Sequence, residues 1–274
     1  MSGEDIVYGN FMRKYYFMAG LPRCGNTVLS SILNQNPKIQ VSANSFVSGI
    51  LTYTLDCEFD GFFTNFPDRQ SLENFALGTF DLYYKSWKGD IIIDRGPWGT
   101  DGNLMCLNEC CPNELKFICP IRGLPEILSS FILLFYKNGQ VNLKDEKVIE
   151  HLCKKLFEKD NVLSKGLWSI RNLSKPEYKD MVYFMHYDDL CSSPQNEIDN
   201  IYDFLGVKKF KHDLNNIKQY EGNGVKYDDD SGSPHWRGLH DVRPLIHKAE
   251  YDIHDILPQS VIDTYNIDIF NDIP

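Results

Sequence analysis

The sequence predicts an α/β fold of three layers, with a central, mostly parallel sheet flanked by helices. Three observations predict it. Short apolar runs alternate along the chain with longer segments of helical period. Two of these runs, residues 90–94 (DIIID) and 114–122 (ELKFICPIR), are continuously apolar rather than alternating, the pattern of strands covered on both faces. The first run passes through a glycine-containing turn straight into a helical segment, the kind of junction beside which parallel sheets bind ligands.

The elements follow in order. Residues 14–20 (KYYFMAG) are short, aromatic and bounded by a Gly-Leu-Pro turn, which reads as a buried strand. Residues 27–33 continue as a helix, with Val28, Leu29 and Ile32 at helical spacing, and Pro37 closes it. Residues 38–43 (KIQVSA) form a second short strand, and 69–87 an amphipathic helix. After the strands at 90–94 and 114–122, a helix spans 124–137 with Pro125 in its first turn, where the missing N–H is not needed. Its segment 127–136 (ILSSFILLFY) is too short to cross a bilayer and reads as a buried core helix. Residues 144–174 read as all-helical, 181–187 (MVYFMHY) as another strand, and 193–206 as a helix ended by Gly206. Beyond Lys208 the pattern weakens.

At 274 residues the chain is long enough for a sizeable core, and no repeat, low-complexity segment or long linker divides it. Residues 1–274 therefore read as a single domain. The formal net charge of −10 argues against a non-specific nucleic-acid binder, which would show a basic footprint. It also requires any anion site to be a local cationic cluster working against the global field. The N-terminal stretch lacks the apolar core of a secretory signal, and no run reaches the length of a membrane span, so the expected location is the cytoplasm. The eight cysteines then read as mostly reduced thiols. The cluster Cys106, Cys110 and Cys111 has no second pair at zinc-ligand spacing, so no metal is expected there.

The stretch GLPRCGNT, residues 20–27, carries the chemistry. Gly20 and Gly25 have the spacing of a phosphate-cradling P-loop, G-x-x-x-x-G-K-[ST], and Thr27 sits where the hydroxyl belongs. The lysine is missing, because position 26 is Asn26. Backbone N–H groups of Cys24, Gly25, Asn26 and Thr27 still point into such a loop, and the helix N-terminus adds a positive field. The cation is Arg23, inside the loop and three residues before the usual lysine position, a placement suited to a donor with one phosphate in the cradle. The plain alternative is a Gly-Pro strand-to-helix turn.

These residues resemble a known family. GLPRCGNTVLSSILNQNP is similar to the 5′-phosphosulfate-binding loop of sulfotransferases that use 3′-phosphoadenosine 5′-phosphosulfate (PAPS), which reads Pro, then Lys or Arg, then Ser-Gly-x-Thr. Pro22, Arg23, Gly25, Asn26 and Thr27 match, and Cys24 replaces the usual serine. The resemblance implies a P-loop-type fold, PAPS as the cofactor with adenosine 3′,5′-bisphosphate (PAP) as its product, and no required metal, since a sulfuryl group carries less charge than a phosphoryl group. It implies that Arg23 and the loop N–H groups stabilise charge on the leaving oxygen, each good donor by about 3 kcal/mol. The family holds the 3′-phosphate with an Arg at a strand end and a Ser eight residues later, and CPIRGLPEILSSF supplies Arg122 and Ser130 at that spacing. Taken without the resemblance, the pair reads equally well as an Arg paired with Glu126 and a small residue packing in a helix.

Further matches are looser. MVYFMHYDDLCSSP and the helix after it resemble the family's strand, Tyr-Glu-Asp-Leu, Pro and helix, which implies Tyr187 beside the adenine, with Asp188 in place of Glu. A strand-end tyrosine capping the core is the alternative. HWRGLHDVRP, residues 235–244, is similar to a segment of bacterial-type members, which implies that Arg237 and the N–H of Gly238 turn towards the 3′-phosphate. The preceding YDDDSGSP reads as a mobile loop or lid, its three aspartates as a solvated turn rather than a metal site.

An acceptor hydroxyl needs a proton acceptor within hydrogen-bond reach. Asp94 is the first candidate, with Arg95 as a second cation near the sulfuryl group; a structural ion pair between the two is the alternative. His240 comes next, then His235, while His186 lies within a strand and reads as a core or satisfied histidine. The aromatic segment 51–66 is expected to line or cover the acceptor pocket, or else to pack as an apolar loop. The implied activity is in-line transfer of a sulfuryl group to a hydroxyl or amine of a small molecule, glycan, lipid or peptide. A non-catalytic module binding PAP or PAPS stays open, and the absent lysine weighs against a P-loop nucleotide kinase.

Overall fold

The structure is a computed structural model in which residues 13–111, 113–231, 236–248 and 250–270 are described. Its first strand shows why the sheet is covered on both sides. In β1 (Lys14–Met18) successive side chains point to opposite faces. Tyr15 and Phe17 enter one buried cluster, and Tyr16 and Met18 enter another. A strand that is buried and apolar at every position after Lys14 is stable only with helices on both faces.

β2 (Ile39–Asn44), β3 (Ile91–Arg95), β4 (Phe117–Ile121) and β5 (Val182–His186) complete a five-stranded sheet in the order β2-β3-β1-β4-β5. Every pairing is parallel, with Met18 beside Arg95 and Ile121 beside His186. The chain leaves β1 for one edge, returns through β3, and then adds β4 on the other side of β1. The order therefore reverses between β1 and β4, and the crevice outside their carboxyl ends is where such a sheet binds ligands.

The helices are α1 (Asn26–Leu33), α2 (Val47–Asp56), α3 (Gly61–Asn65), α4 (Arg69–Tyr83), α5 (Asp101–Cys110), α6 (Leu124–Lys137), α7 (Glu146–Leu156), α8 (Val162–Leu173), α9 (Tyr187–Ser192), α10 (Pro194–Leu205) and α11 (Gln259–Tyr265). Leu29 and Ile32 of α1, with Ile198 and Ile201 of α10, cover the Tyr16 face. Phe80 of α4, Leu107 of α5, Phe131 of α6 and Leu167 of α8 cover the Phe17 face. There the Phe17 ring lies 5.1 Å from Trp98, 5.6 Å from Phe117 and 5.8 Å from Phe80, in tilted and edge-on contacts. Burying one such ring contributes about 1.5–3 kcal/mol. Local chemistry marks the helix ends. The Asp68 carboxylate accepts from the Ser71 N–H at the start of α4, and Gly206, at φ 66°, ends α10 in the left-handed conformation.

Two expectations need correction. Residues 144–174, expected to be all-helical, form two helices with a break at 157–161, where the chain turns through Asp160 at φ 67°. Segment 51–66 forms the end of α2, a 3₁₀ turn and α3, and Phe59, Phe62 and Phe66 are 88%, 88% and 77% exposed.

After α10 the described chain is largely irregular, with an isolated bridge between Gly222 and Val225. It is nonetheless pinned over the sheet: the Tyr220 hydroxyl donates to the Val41 carbonyl at 2.8 Å, and the Ile217 N–H to the Pro244 carbonyl at 2.9 Å. All eight cysteines are free. Among the described residues no helix is long and apolar enough to cross a membrane, and no group of three or more His, Cys, Asp or Glu is placed to hold a metal ion.

Candidate active site

The turn from β1 into α1 is shaped by close packing. Gly20 has φ 106°, and a Cβ there would lie 2.8 Å from Cys119 Sγ. Gly25 has φ 84°, and a Cβ there would meet the Tyr187 ring at 3.0 Å. Gly166 of α8 admits the loop, since its Cβ would fall 2.9 Å from the Leu21 side chain and 3.1 Å from the Gly20 carbonyl. Between the glycines Arg23 is also left-handed, at φ 61°, a conformation that costs an ordinary residue about 1–2 kcal/mol. No side chain caps α1, and its first turn holds no acidic residue. The leading N–H groups of the helix are therefore free for an anion.

Asn26 answers the missing lysine. Its side chain is buried and turns back on the loop, with Nδ2 donating to the Leu21 carbonyl at 2.8 Å. The residue at the lysine position ties the loop shut instead of reaching along a phosphate chain.

Three strand ends contribute one arginine each. Arg23, following β1, donates from Nε to Ser130 Oγ at 2.9 Å and from Nη1 to the Leu239 carbonyl at 2.5 Å. Arg122, following β4, donates to the Arg23 carbonyl at 3.2 Å and to the Tyr251 hydroxyl at 3.4 Å, and its guanidinium stacks 4.4 Å from the Tyr187 ring centroid. Arg122 Nε is buried with no hydrogen-bond partner. Arg95, ending β3, donates to Thr27 Oγ1 at 3.3 Å and to the Tyr227 hydroxyl at 2.8 Å. Among the described residues none of the three forms an ion pair, in a chain of net charge −10, and Glu126 does not pair with Arg122. Burial, and then the facing charge of Arg122, pull the Arg23 pKa below its ordinary value. Two cations held together without a carboxylate form a site prepared for an anion.

These groups line one cavity of about 1200 Å³ at the reversal of the sheet. Gly25, Thr27, Arg95, Ser130, Tyr187 and His240 are all on its wall. Gly238, at φ 75°, lines it as well.

Other sequence expectations are redirected. Asp94 is 0% exposed and off the cavity wall. Its carboxylate accepts from Ser45 Oγ at 2.7 and 2.9 Å, Tyr84 Oη at 2.5 Å and Trp98 Nε1 at 3.1 Å. Burial outweighs these donors and pushes its pKa up to about 6. With its lone pairs taken and no access to the cavity, Asp94 is a core acceptor and not a base. Nor does it pair with Arg95. Cys24 points inward: its thiol is buried, sits 3.5 Å from the Pro22 carbonyl, and has its pKa pushed up to about 12 by burial. Only its backbone is available to a ligand. Arg237 points outward and forms an exposed ion pair with Asp230 at 2.7 Å. Segment 51–66 contributes nothing to the cavity wall. His235 lies outside the described residues.

His240 is on the wall, and its setting was not foreseen. Asp229 Oδ1 lies 2.6 Å from His240 Nδ1, and Asp229 Oδ2 accepts from the His240 backbone N–H at 2.8 Å. The imidazole stacks on Tyr227, with ring centres 3.6 Å apart and planes within 3°. The three aspartates of residues 228–230 do separate things. Asp228 caps Ser231, Asp230 meets Arg237, and Asp229 turns in to the histidine. A run of three acids carries no periodic signal to single out the middle one.

Comparison with known proteins bears on this arrangement. Residues 106–223 match the model of the sulfotransferase domain family. That span holds Arg122, Ser130 and Tyr187 but neither the loop at 20–27 nor His240. No curated protein sequence matches the chain. Among solved structures, the sulfotransferase domain from the Synechococcus PCC 7002 olefin synthase aligns over 98% of this chain and 99% of its own, at 15% identity and a TM-score of 0.51. A sulfotransferase from Alicyclobacillus acidocaldarius aligns over 80% and 87%, at 14% identity and a TM-score of 0.52. Identities this low speak to architecture. The chain thus shares the fold of these sulfotransferase structures along most of its length, and residues 106–223 match the sulfotransferase domain by sequence.

Proposed function

We propose that the protein is a PAPS-dependent sulfotransferase that moves a sulfuryl group to a hydroxyl or amine of a small-molecule, glycan, lipid or peptide acceptor. One observation carries the reading: Arg23 and Arg122 line one cavity side by side with no carboxylate paired to either, and Arg122 Nε is buried without a partner. A donor with an anionic group at each end satisfies both. When bound, PAPS supplies the sulfuryl group and leaves as PAP.

This chain's residues divide the remaining work. The N–H groups of Cys24, Gly25, Asn26 and Thr27, with Arg23, hold the 5′ side and offset charge on the leaving oxygen. Arg122 and the Ser130 hydroxyl hold the 3′-phosphate, and the N–H of Gly238 borders it. Tyr187, fixed between Gly25 and the Arg122 guanidinium, presents a face to adenine. Arg95, anchored by Thr27 and Tyr227, adds a cation on the acceptor side. His240 accepts the acceptor's proton on Nε2; transfer would exchange the donor's O–S bond for a bond from sulfur to the acceptor oxygen or nitrogen. No residue on the wall calls for a metal in this scheme. The loop at 20–27 and the strap formed by residues 227–231 and 236–243 flank residues 106–223 and reach the same cavity, which supports reading the chain as one domain. Its eight free thiols suit a reducing compartment, the cytoplasm.

Calorimetry of PAP in EDTA, beside ADP and beside ATP with Mg²⁺, tests the reading. Tight binding of PAP alone supports it. A preference for ATP with Mg²⁺ overturns it in favour of a kinase.

A further inference from the structure

We propose that Asp229 is a positioning residue that selects the tautomer of His240 and holds its Nε2 ready as the proton acceptor. The inference rests on the PAPS-dependent reading of the same cavity. One carboxylate makes two bonds to one residue: Oδ2 accepts from the His240 backbone N–H at 2.8 Å, and Oδ1 lies 2.6 Å from Nδ1. A carboxylate can only accept, so Nδ1 carries the hydrogen and the lone pair of the neutral ring is on Nε2. Among the described residues Nε2 makes no hydrogen bond.

The ring cannot turn away. Tyr227 stacks on its face at 3.6 Å, and the Tyr227 hydroxyl is held by Arg95, which also donates to Thr27 at the start of α1. Arg23 holds the Leu239 carbonyl, one residue before the histidine. The histidine and aspartate side chains are only 13% and 17% exposed. The base is thereby joined through Tyr227 and Arg95 to the loop that cradles the donor.

The groups that face the imidazole are Asp229, Arg95, Arg23 and Tyr227. Burial lowers the His240 pKa most; Asp229 raises it, and the two arginines lower it further. The ring is thus neutral and able to accept a proton at neutral pH. Once the acceptor's proton reaches Nε2, the Asp229 carboxylate lies against the new positive charge. In the same event the acceptor oxygen bonds to sulfur and the donor's bridging oxygen leaves with the old bond's electron pair.

Long-range ¹H–¹⁵N spectra of the ¹⁵N-histidine-labelled full chain report tautomer and titration, with His240→Gln assigning the signal. Wild type should show the Nδ1–H tautomer. In Asp229→Asn the amide can donate to Nδ1, so the ring should shift to the Nε2–H tautomer. Its pKa should fall below the wild-type value, because the carboxylate is lost while burial and both arginines remain. Asp229→Glu should keep the Nδ1–H form. An Asp229→Asn spectrum matching wild type in tautomer and titration would overturn the proposal. So would a pKa rising towards ~6.5, the free-imidazole value, with mixed tautomers in both variants, because that is a strap merely come loose. PAP binding to wild type, measured alongside, judges the donor reading separately: failure to bind PAP with the tautomer effect intact sinks the cofactor and not the dyad.

Discussion

Replacing Arg122 by methionine should separate binding from stability. Without a ligand, the Arg122 guanidinium is poorly compensated: its two hydrogen bonds are long, at 3.2 and 3.4 Å, and Nε is buried with no partner. It also faces the Arg23 cation, which itself has no carboxylate. An unsatisfied buried donor costs about 1–3 kcal/mol, and like charges add to that. Methionine retains an apolar contact with the Tyr187 ring and removes the charge. The expected change on urea unfolding is therefore zero to about 2 kcal/mol of added stability. Binding should move the other way. A guanidinium gives a phosphate two charge-assisted bonds, each worth about 1.5–3 kcal/mol before the cost of stripping water. A net loss of about 3 kcal/mol weakens PAP by roughly 10²-fold, and Arg122→Lys should fall between, keeping the charge but not the fork. Calorimetry with PAP and urea denaturation of the same preparations read both quantities. If Arg122→Met loses 2 kcal/mol or more of stability, on the order of one orphaned buried group, while PAP affinity holds, Arg122 is a structural residue and the phosphate argument fails.

Two other substitutions probe the frame of the site. Gly25→Ala places a Cβ 3.0 Å from the Tyr187 ring at φ 84°, so it should cost about 1–2 kcal/mol and push that ring off its seat. Thermal melting with and without PAP should show a lower midpoint and a smaller PAP shift, and an unchanged shift would free Tyr187 from its role. Asp94→Ala orphans the donors of Tyr84, Trp98 and Ser45 and should cost about 3–5 kcal/mol, read by urea unfolding. The folded-state pKa of Asp94, about 6, is raised above its ordinary 3.8. Its contribution is thus fully present below 3.8 and lost as pH rises through about 6, so wild type should lose stability relative to Asp94→Asn across that range. An Asp94→Ala chain as stable as wild type would contradict the buried acceptor.

Much of this molecule is local, and local patterns are legible. The runs at 14–18, 91–95 and 117–121 are apolar on both faces, so they could only be covered parallel strands. Gly20 and Gly25 mark the turn because no other residue adopts those φ angles without strain. Arg122 and Ser130 are set by a strand end and two turns of the helix after it, and the structure does bring them to the cavity with Arg23. What a side chain faces is a different matter, because it depends on residues far away in sequence. Asp94 is a core acceptor because Ser45, from after β2, and Tyr84, from the end of α4, meet it beside Trp98, four residues on. Cys24 turns in and Arg237 turns out for the same kind of reason. Asp229 and His240 lie 11 residues apart in chain with no regular period, so no spacing rule joins them. By itself the sequence determined the layered parallel sheet, the glycine-bounded loop after β1 and the two arginines that follow strand ends, because backbone periodicity and turn chemistry act over a few neighbours. Only the tertiary structure decided which acid is buried and which histidine is held at the cavity, because burial and charge pairing are set by packing between distant segments.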